Sequence, residues 1–159
     1  MTTELIPMTI EGKRLLEEEL KKLKTVDRPS VIQAIEDARA LGDLSENAEY
    51  SAAKERQSFI EGRIQEINAK LVASQVIDPT SIKTDKIVFG ATVTLSDQDS
   101  GKEITYKIVG SDESDLRINK ISITSPLARA LIGKKVNDEV TVNAPKGAVQ
   151  YDIVEIKYE

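Results

Sequence analysis

Two carboxylates in the segment DLSENAEY are the residues whose type and spacing could support chemistry. Asp43 and Glu46 are three positions apart, so at the start of a helix their side chains lie within reach of a common ligand. The free amides of a helix N-terminus favour the ionised form of such groups. Ionised carboxylates are ligands that Mg²⁺ or Mn²⁺ prefers, but two are too few for an octahedral site. An ion held here needs further ligands from a partner, a phosphate or water.

The same pair of acids also fits a structural role. Asp43 as the N-cap and Glu46 at the third helical position match the capping box, which satisfies the free amides of a helix start. Spacing alone leaves this interpretation open beside metal binding. In either case we expect a helix to begin near Asp43 or Ser45.

The composition excludes several kinds of self-contained catalysis. The 159-residue chain has neither cysteine nor histidine, which removes disulfides, thiolate nucleophiles, the usual zinc sites and imidazole acid–base catalysis. Its net charge of −5 provides no broad basic face for wrapping a nucleic acid. Chemistry at the acidic segment therefore needs a partner, and any contact with nucleic acid must be local.

Long helical patterns flank the acidic segment. We expect a kink or short break at Arg28-Pro29, a helix end at Leu41-Gly42, and a second helix that runs to about Ser74. Residues 1–78 are thus predicted to form an antiparallel coiled-coil hairpin of about 45 Å, with the acids at its far end. Its seam repeats at +4 and +3: Leu16, Leu20, Leu23, Val31, Ile35 and Ala38 on the first arm, and Ile60, Ile64, Ile67 and Leu71 on the second.

An α+β domain is predicted over residues 79–159, after a linker at Asp78-Pro79. Ser125-Pro126 indicates the start of one short helix, which Gly133 ends. Alternating β-branched residues predict the strands of an antiparallel sheet, at 87–89, 91–95, 103–109, 121–123, 139–142 and 151–156.

The N-terminal segment MTTELIPMT lacks the basic start and apolar core of a signal peptide. No apolar run approaches the roughly 20 residues that a membrane helix needs. We therefore expect a cytoplasmic protein, and we expect it to act as a monomer.

The acidic segment and its setting resemble the bacterial GreA/GreB transcript cleavage factors. DLSENAEYSAAKERQ lies between two coiled-coil arms, and shorter matches extend along essentially the whole chain, at 6–9, 61–64, 75–78, 89–93 and 125–134. The resemblance implies an FKBP-like fold for residues 79–159 and docking of that domain on RNA polymerase at its secondary channel. It also implies that the hairpin enters the channel, where its acids help to hold a Mg²⁺ ion shared with the polymerase. Backtracked RNA is then cleaved near its 3′ end, and elongation restarts.

The resemblance also implies roles for individual residues of this chain. The metal-assisting acids are Asp43 and Glu46, and the supporting residues of the tip are Asn47 and Tyr50. Basic residues that face the extruded RNA are Arg39 and Lys54. The loop that docks on the polymerase contains Ser125, Pro126 and Arg129.

Three other functions stay open from the sequence. The first is a family relative that enters the channel and inhibits or modulates the polymerase without stimulating RNA cleavage. The intact acids at the family spacing favour cleavage over this alternative. A prolyl isomerase needs an aromatic pocket, and residues 79–159 contain four aromatic side chains: Phe89, Tyr106, Tyr151 and Tyr158. A coiled-coil adaptor without a polymerase is supported by nothing beyond the generic hairpin.

Overall fold

The computed structural model describes residues 4–159, which form two compact units. The first unit contains Lys13–Ser74, and the second contains Leu5–Gly12 together with Gln75–Glu159. The sequence predicts that the N-terminal segment is not a signal peptide. Residues 1–3 of that segment lie outside the described range. In the described part of the chain, no helix is both long enough and apolar enough to cross a membrane.

The first unit is a helical hairpin, as the seam spacing predicts. Its first arm comprises α1 (Ile10–Lys22) from Lys13 onward, a π-helical segment (Leu23–Asp27) and α2 (Arg28–Arg39), and its second arm is α3 (Ala48–Val72). The buried side chains of the seam are Leu16, Leu23, Val31, Ile35, Ala38, Ala53, Ile60, Ile64 and Ile67. Their burial against one another supplies the hydrophobic free energy that holds the arms together.

Helical structure continues through Pro29, where the sequence predicts a kink or short break. The amide of Arg28 donates to the carbonyl of Leu23, five residues back. Proline lacks the amide that the α-helical ladder needs, and its ring clashes with the carbonyl four residues back. A π turn widens the helix locally, so the first arm passes this point without ending.

Two bidentate ion pairs join the arms of the hairpin. Arg28 donates from Nε and Nη2 to the two carboxylate oxygens of Glu61, at 2.7 and 2.8 Å. Arg63 donates in the same way to Glu19, at 2.7 and 2.9 Å. The fork of a guanidinium matches a carboxylate in this arrangement, so each pair favours one register of the two arms.

The second unit contains a five-stranded sheet in the order β5-β4-β3-β7-β6. A separate two-stranded sheet pairs β1 with β2. The bounds of the strands are β1 Ile6–Thr9, β2 Ser74–Ile77, β3 Thr92–Asp97, β4 Glu103–Val109, β5 Lys120–Ser122, β6 Glu139–Ala144 and β7 Gly147–Lys157. The α+β class, with a helical hairpin followed by a sheet domain, is confirmed.

The expectation of a purely antiparallel sheet is wrong at one pair of strands. β5 runs parallel to β4, whereas the pairs β3–β4, β3–β7 and β6–β7 are antiparallel. A parallel neighbour needs a connection that carries the chain back to the start of the first strand. Residues 110–119 provide it, and they include a 3₁₀ turn at Leu116–Ile118.

One face of the sheet packs against the predicted short helix, α4 (Pro126–Leu131). Ser125 caps this helix, and Gly133 follows it with φ of +86°, a conformation that glycine adopts without strain. The core of the unit consists of buried aliphatic side chains, namely Ile87, Ala91, Val93, Leu95, Ile108, Ile121, Ala128, Leu131, Val140 and Ile153.

The strand predicted at 87–89 is absent from the described residues. Ile87 is fully buried, but its amide and carbonyl bond to the backbone of Lys134 and Gly133. Gly90 then takes φ of +91°, which turns the chain before it enters β3. The pairing at this segment is thus one isolated antiparallel bridge, between Lys86 and Lys135, and it does not extend into a strand over 87–89.

Candidate metal-assisting site at the hairpin tip

A short linker joins the two arms at the tip of the hairpin. α2 ends at Arg39, two residues before the predicted end at Leu41-Gly42. Gly42 takes φ of +127°, a region that side chains disfavour. A 3₁₀ turn at Leu44–Glu46 follows, and α3 begins two residues later at Ala48.

Asp43 caps the 3₁₀ turn with one of its two carboxylate oxygens. Its Oδ1 accepts hydrogen bonds from the Ser45 amide and from Ser45 Oγ, both at 2.9 Å. These bonds lower the pKa of Asp43, because they stabilise the ionised form. The side chain is exposed, and Oδ2 has no partner among residues 4–159. Asp43 therefore presents an anionic oxygen that is available to a ligand.

Glu46 closes the same turn and is exposed. Its carboxylate has neither a hydrogen bond nor an ion pair within the described range of 4–159. Both of its oxygens are thus available, and rotation about the side chain lets them adjust to a shared ligand.

Asn47, and not Asp43, sets the start of α3. Its backbone is extended, and its Oδ1 accepts a hydrogen bond from the Tyr50 amide at 3.0 Å, which is the geometry of an N-cap. Its Nδ2 donates to the carbonyl of Ala38 at 2.6 Å. The predicted capping box of Asp43 and Glu46 is therefore wrong, because Glu46 precedes the true cap. Asn47 is favoured as the N-cap because its side chain caps the second arm through Oδ1 and binds the first arm through Nδ2.

An open concavity of about 420 Å³ contains both predicted acids. It is lined by Leu41, Asp43, Glu46, Asn47, Ala48 and Glu49. Glu49 adds a third carboxylate, in the first turn of α3, where the helix dipole favours acidic residues. No group of three or more Asp or Glu side chains in residues 4–159 is placed to hold a metal ion. The tip alone does not form a complete metal site.

The other predicted residues of the tip lie on the two helices behind it. Arg39 is exposed in the last turn of α2. Tyr50 is half-buried in the first turn of α3. Lys54 is exposed one turn further along, where its Nζ donates to Gln57 Oε1 at 3.1 Å.

The predicted docking residues belong to the second unit, at the start of α4. Ser125 is half-buried, and its Oγ accepts the amide of Ala128 at 3.2 Å, so its hydroxyl serves as the helix cap. Pro126 and Arg129 are exposed. The two exposed side chains are therefore available to a partner, whereas Ser125 shapes the turn that presents them.

Comparisons with known proteins cover nearly the whole chain. A family model described as "Transcription elongation factor, N-terminal" matches residues 6–76, and "Transcription elongation factor, GreA/GreB, C-term" matches residues 82–158. The transcription elongation factor GreA of Alkalilimnicola ehrlichii is 58% identical over 154 residues, which covers 96% of this chain and 98% of that protein. The GreA factor of Trichlorobacter lovleyi is 60% identical and covers 97% and 98% of the two chains.

Solved structures that are similar to this chain are more distant from it in sequence. GreA factor homolog 1 of Thermus thermophilus is 24% identical with a TM-score of 0.44, over 96% of this chain and 99% of that chain. A GreA/GreB elongation factor from Nitrosomonas europaea is 23% identical with a TM-score of 0.44, over the same shares of the two chains.

Proposed function

The chain belongs to the GreA/GreB family of transcription elongation factors, and we propose that it stimulates cleavage of backtracked nascent RNA inside RNA polymerase. In this proposal the hairpin enters the secondary channel and brings Asp43 and Glu46 to the catalytic centre. The observation that carries the proposal is the exposure of these two carboxylates at the tip, with oxygens that no described residue occupies.

The tip carboxylates fit a magnesium ion that is shared with the polymerase. Mg²⁺ takes six oxygen ligands in octahedral geometry and binds readily through one or two carboxylates plus phosphate and water. Asp43 offers Oδ2, since Oδ1 is occupied by Ser45, and Glu46 offers both oxygens. A bound ion would activate a water for attack on the phosphodiester and offset the charge that develops there. The polymerase and the RNA must supply its remaining ligands.

The chain acts in this proposal as an activator and not as an enzyme. With neither histidine nor cysteine, it offers no imidazole or thiolate for acid–base or nucleophilic catalysis. The cleavage reaction belongs to the polymerase, and the tip contributes two correctly placed anions. A cytoplasmic location and a monomeric factor are consistent with entry into a narrow channel.

Docking of the second unit on the polymerase is assigned to the loop at the start of α4. Pro126 and Arg129 are exposed there, so they would contact the polymerase directly. Ser125 would act by holding the turn, since its hydroxyl is bonded to the Ala128 amide. Near the tip, Arg39 and Lys54 would lie beside the extruded 3′ end of the RNA.

The proposal is tested with Asp43→Asn and Glu46→Gln in a backtracked elongation complex. Both changes remove one negative charge at nearly constant size, and an asparagine oxygen can still accept the bonds from Ser45. We expect each variant to lose stimulation of RNA cleavage while it still competes with the wild-type protein for the polymerase. Glu55→Gln is the matched control, because Glu55 is an exposed acid on α3 away from the tip.

The outcomes separate the possible functions. Loss of cleavage in the two tip variants but not in Glu55→Gln supports the proposal. If a tip variant stimulates cleavage as well as the wild-type protein, that carboxylate has no metal-assisting role. If the wild-type protein binds the polymerase and slows elongation without shortening the RNA, the factor is a non-cleaving modulator.

A further inference from the structure

The ion pair between Arg28 on the first arm and Glu61 on the second defines one flank of the hairpin, namely the side on which these two side chains meet. Arg28 lies in the first turn of α2, and Glu61 lies in the middle of α3. Their contact at 2.7 and 2.8 Å fixes which faces of the two helices turn toward the same side. Helical periodicity then places other residues on that flank.

Arg39 and Tyr50 lie on this flank, one on each arm. Arg39 follows Arg28 by eleven residues within α2, and Tyr50 precedes Glu61 by eleven residues within α3. Eleven residues make just over three helical turns and advance about 16 Å along the axis. Because the arms are antiparallel, both steps lead toward the tip, and the two side chains arrive on the same flank at about the same height.

Other contacts at this height agree with the placement. Asn47 donates to the carbonyl of Ala38, which joins the first turn of α3 to the last turn of α2. Lys54 follows Tyr50 by four residues, so the two side chains share one face of α3. A strip of three residues, Arg39, Tyr50 and Lys54, therefore runs along one flank directly behind the acidic tip.

The strip combines a ring with two available cations. The Tyr50 ring is half-buried, and its hydroxyl has no hydrogen-bond partner in residues 4–159. Arg39 has no ion pair within the same range, and Lys54 contacts the neutral Gln57. Glu61, an acid of this flank, is already bound by Arg28. An anionic ligand would therefore meet the two cations without an opposing free charge from Glu61.

An aromatic ring among cations suits a single-stranded nucleic acid. Each base offers a π face for stacking, and each phosphate offers a charge to Arg or Lys. A duplex hides the base faces, so it would leave the ring unused. We propose that Tyr50 stacks on a base of the extruded RNA strand while Arg39 and Lys54 hold adjacent phosphates. The inference rests on the proposed cleavage function and adds a base-contacting residue to it.

The first test measures the concentration of the factor that gives half-maximal cleavage in complexes backtracked by several nucleotides. Stacking on an aromatic side chain contributes enough affinity that Tyr50→Leu should raise this concentration by about 5- to 150-fold. Tyr50→Phe keeps the ring and should stay close to the wild-type value. Equal helix content and equal thermal midpoints in circular dichroism would show that both variants fold.

Phe59→Leu provides the matched control on the same helix. Phe59 is 71% exposed and follows Tyr50 by nine residues, which is two and a half turns, so it lies on the opposite face of α3. The same aromatic-to-leucine change there should leave the half-maximal concentration unchanged. A similar rise in Phe59→Leu and Tyr50→Leu would overturn the proposal, as would equal impairment in Tyr50→Phe and Tyr50→Leu.

A second test does not depend on cleavage. RNA with 5-iodouridine at its 3′ end crosslinks to an aromatic ring that stacks on the base. In backtracked complexes with the wild-type protein, we expect a crosslink at Tyr50 that Tyr50→Leu abolishes. A crosslink at Phe59 instead, or none on the hairpin, would overturn the proposal. If the wild-type protein does not shorten the RNA, the proposed cleavage function is wrong. The crosslink still shows whether Tyr50 stacks on the RNA base.

Discussion

Replacing Asn47 by alanine tests how the tip of the hairpin is held in place. The change removes two bonds at once: the cap bond from the Tyr50 amide to Oδ1 at 3.0 Å, and the bond from Nδ2 to the Ala38 carbonyl at 2.6 Å. Neither bond involves Asp43 or Glu46 directly. The variant therefore loosens the structure of the tip, and it leaves the negative charges of the tip unchanged.

The two bonds give an estimate of the loss. Removal of an N-cap costs about 0.5–2 kcal/mol, and a side-chain hydrogen bond contributes about 0.5–1.5 kcal/mol. Together Asn47→Ala should destabilise the tip by about 1–3.5 kcal/mol. Since about 1.4 kcal/mol corresponds to a factor of ten, the open state of the first turn of α3 should become about 5- to 300-fold more populated.

Amide hydrogen exchange measures this opening directly. The informative amides are those of Tyr50 and Ser51, which bond to Asn47 Oδ1 and to the Asn47 carbonyl. Asn47→Ser is the matched control, because a serine oxygen can cap the helix but cannot donate to Ala38 as the amide does. It should lose only about 0.5–1.5 kcal/mol. Unchanged exchange in Asn47→Ala would refute the role of this side chain, and equal exchange in both variants would refute the separate contribution of the cap.

Other contacts of the two units lead to three more predictions. Folding lowers the pKa of Asp43, so the ionised side chain stabilises the folded tip fully above its ordinary pKa of 3.8. This stabilisation is lost as the pH falls through the lower pKa of the folded state. NMR titration of Asp43 should find a midpoint below 3.8, and Ser45→Ala should raise that midpoint. Arg63→Met removes the pair with Glu19 and a weaker one with Glu66, and calorimetry should find a cost of about 0.2–1 kcal/mol for each pair; an unchanged thermal midpoint would contradict this. Leu131→Ala empties a fully buried site and should cost about 2–5 kcal/mol in urea unfolding; a loss near zero would contradict the described core.

The hairpin was predictable because its signal is repeated many times. Residues such as Val31, Ile35, Ile60 and Ile64 recur at helical spacing, and all four are buried as expected. The path through Pro29 was less predictable, since a proline predicts an interruption but not whether the helix ends or widens. The backbone bond from Arg28 to Leu23 resolves this by a π turn, which has no distinct sequence pattern.

The details of the tip depended on contacts between residues on different arms. Asp43 and Asn47 are both good N-caps by type, so local sequence does not choose between them. The choice follows from the bond of Asn47 to the Ala38 carbonyl, nine positions away in sequence. The sequence predicts the strand at 121–123 but not its parallel direction. The pairing of β5 with β4 depends on the course of residues 110–119 and not on alternation within the strand.

The magnesium dependence of RNA cleavage tests the central claim most directly. If Asp43 and Glu46 contribute ligands to an ion in the catalytic centre, the wild-type factor should lower the Mg²⁺ concentration that gives half-maximal cleavage by the polymerase in a backtracked complex. Glu46→Gln, at a concentration that saturates the polymerase, should return this value to that of the polymerase alone. The same magnesium dependence with the variant and the wild-type factor would contradict the account.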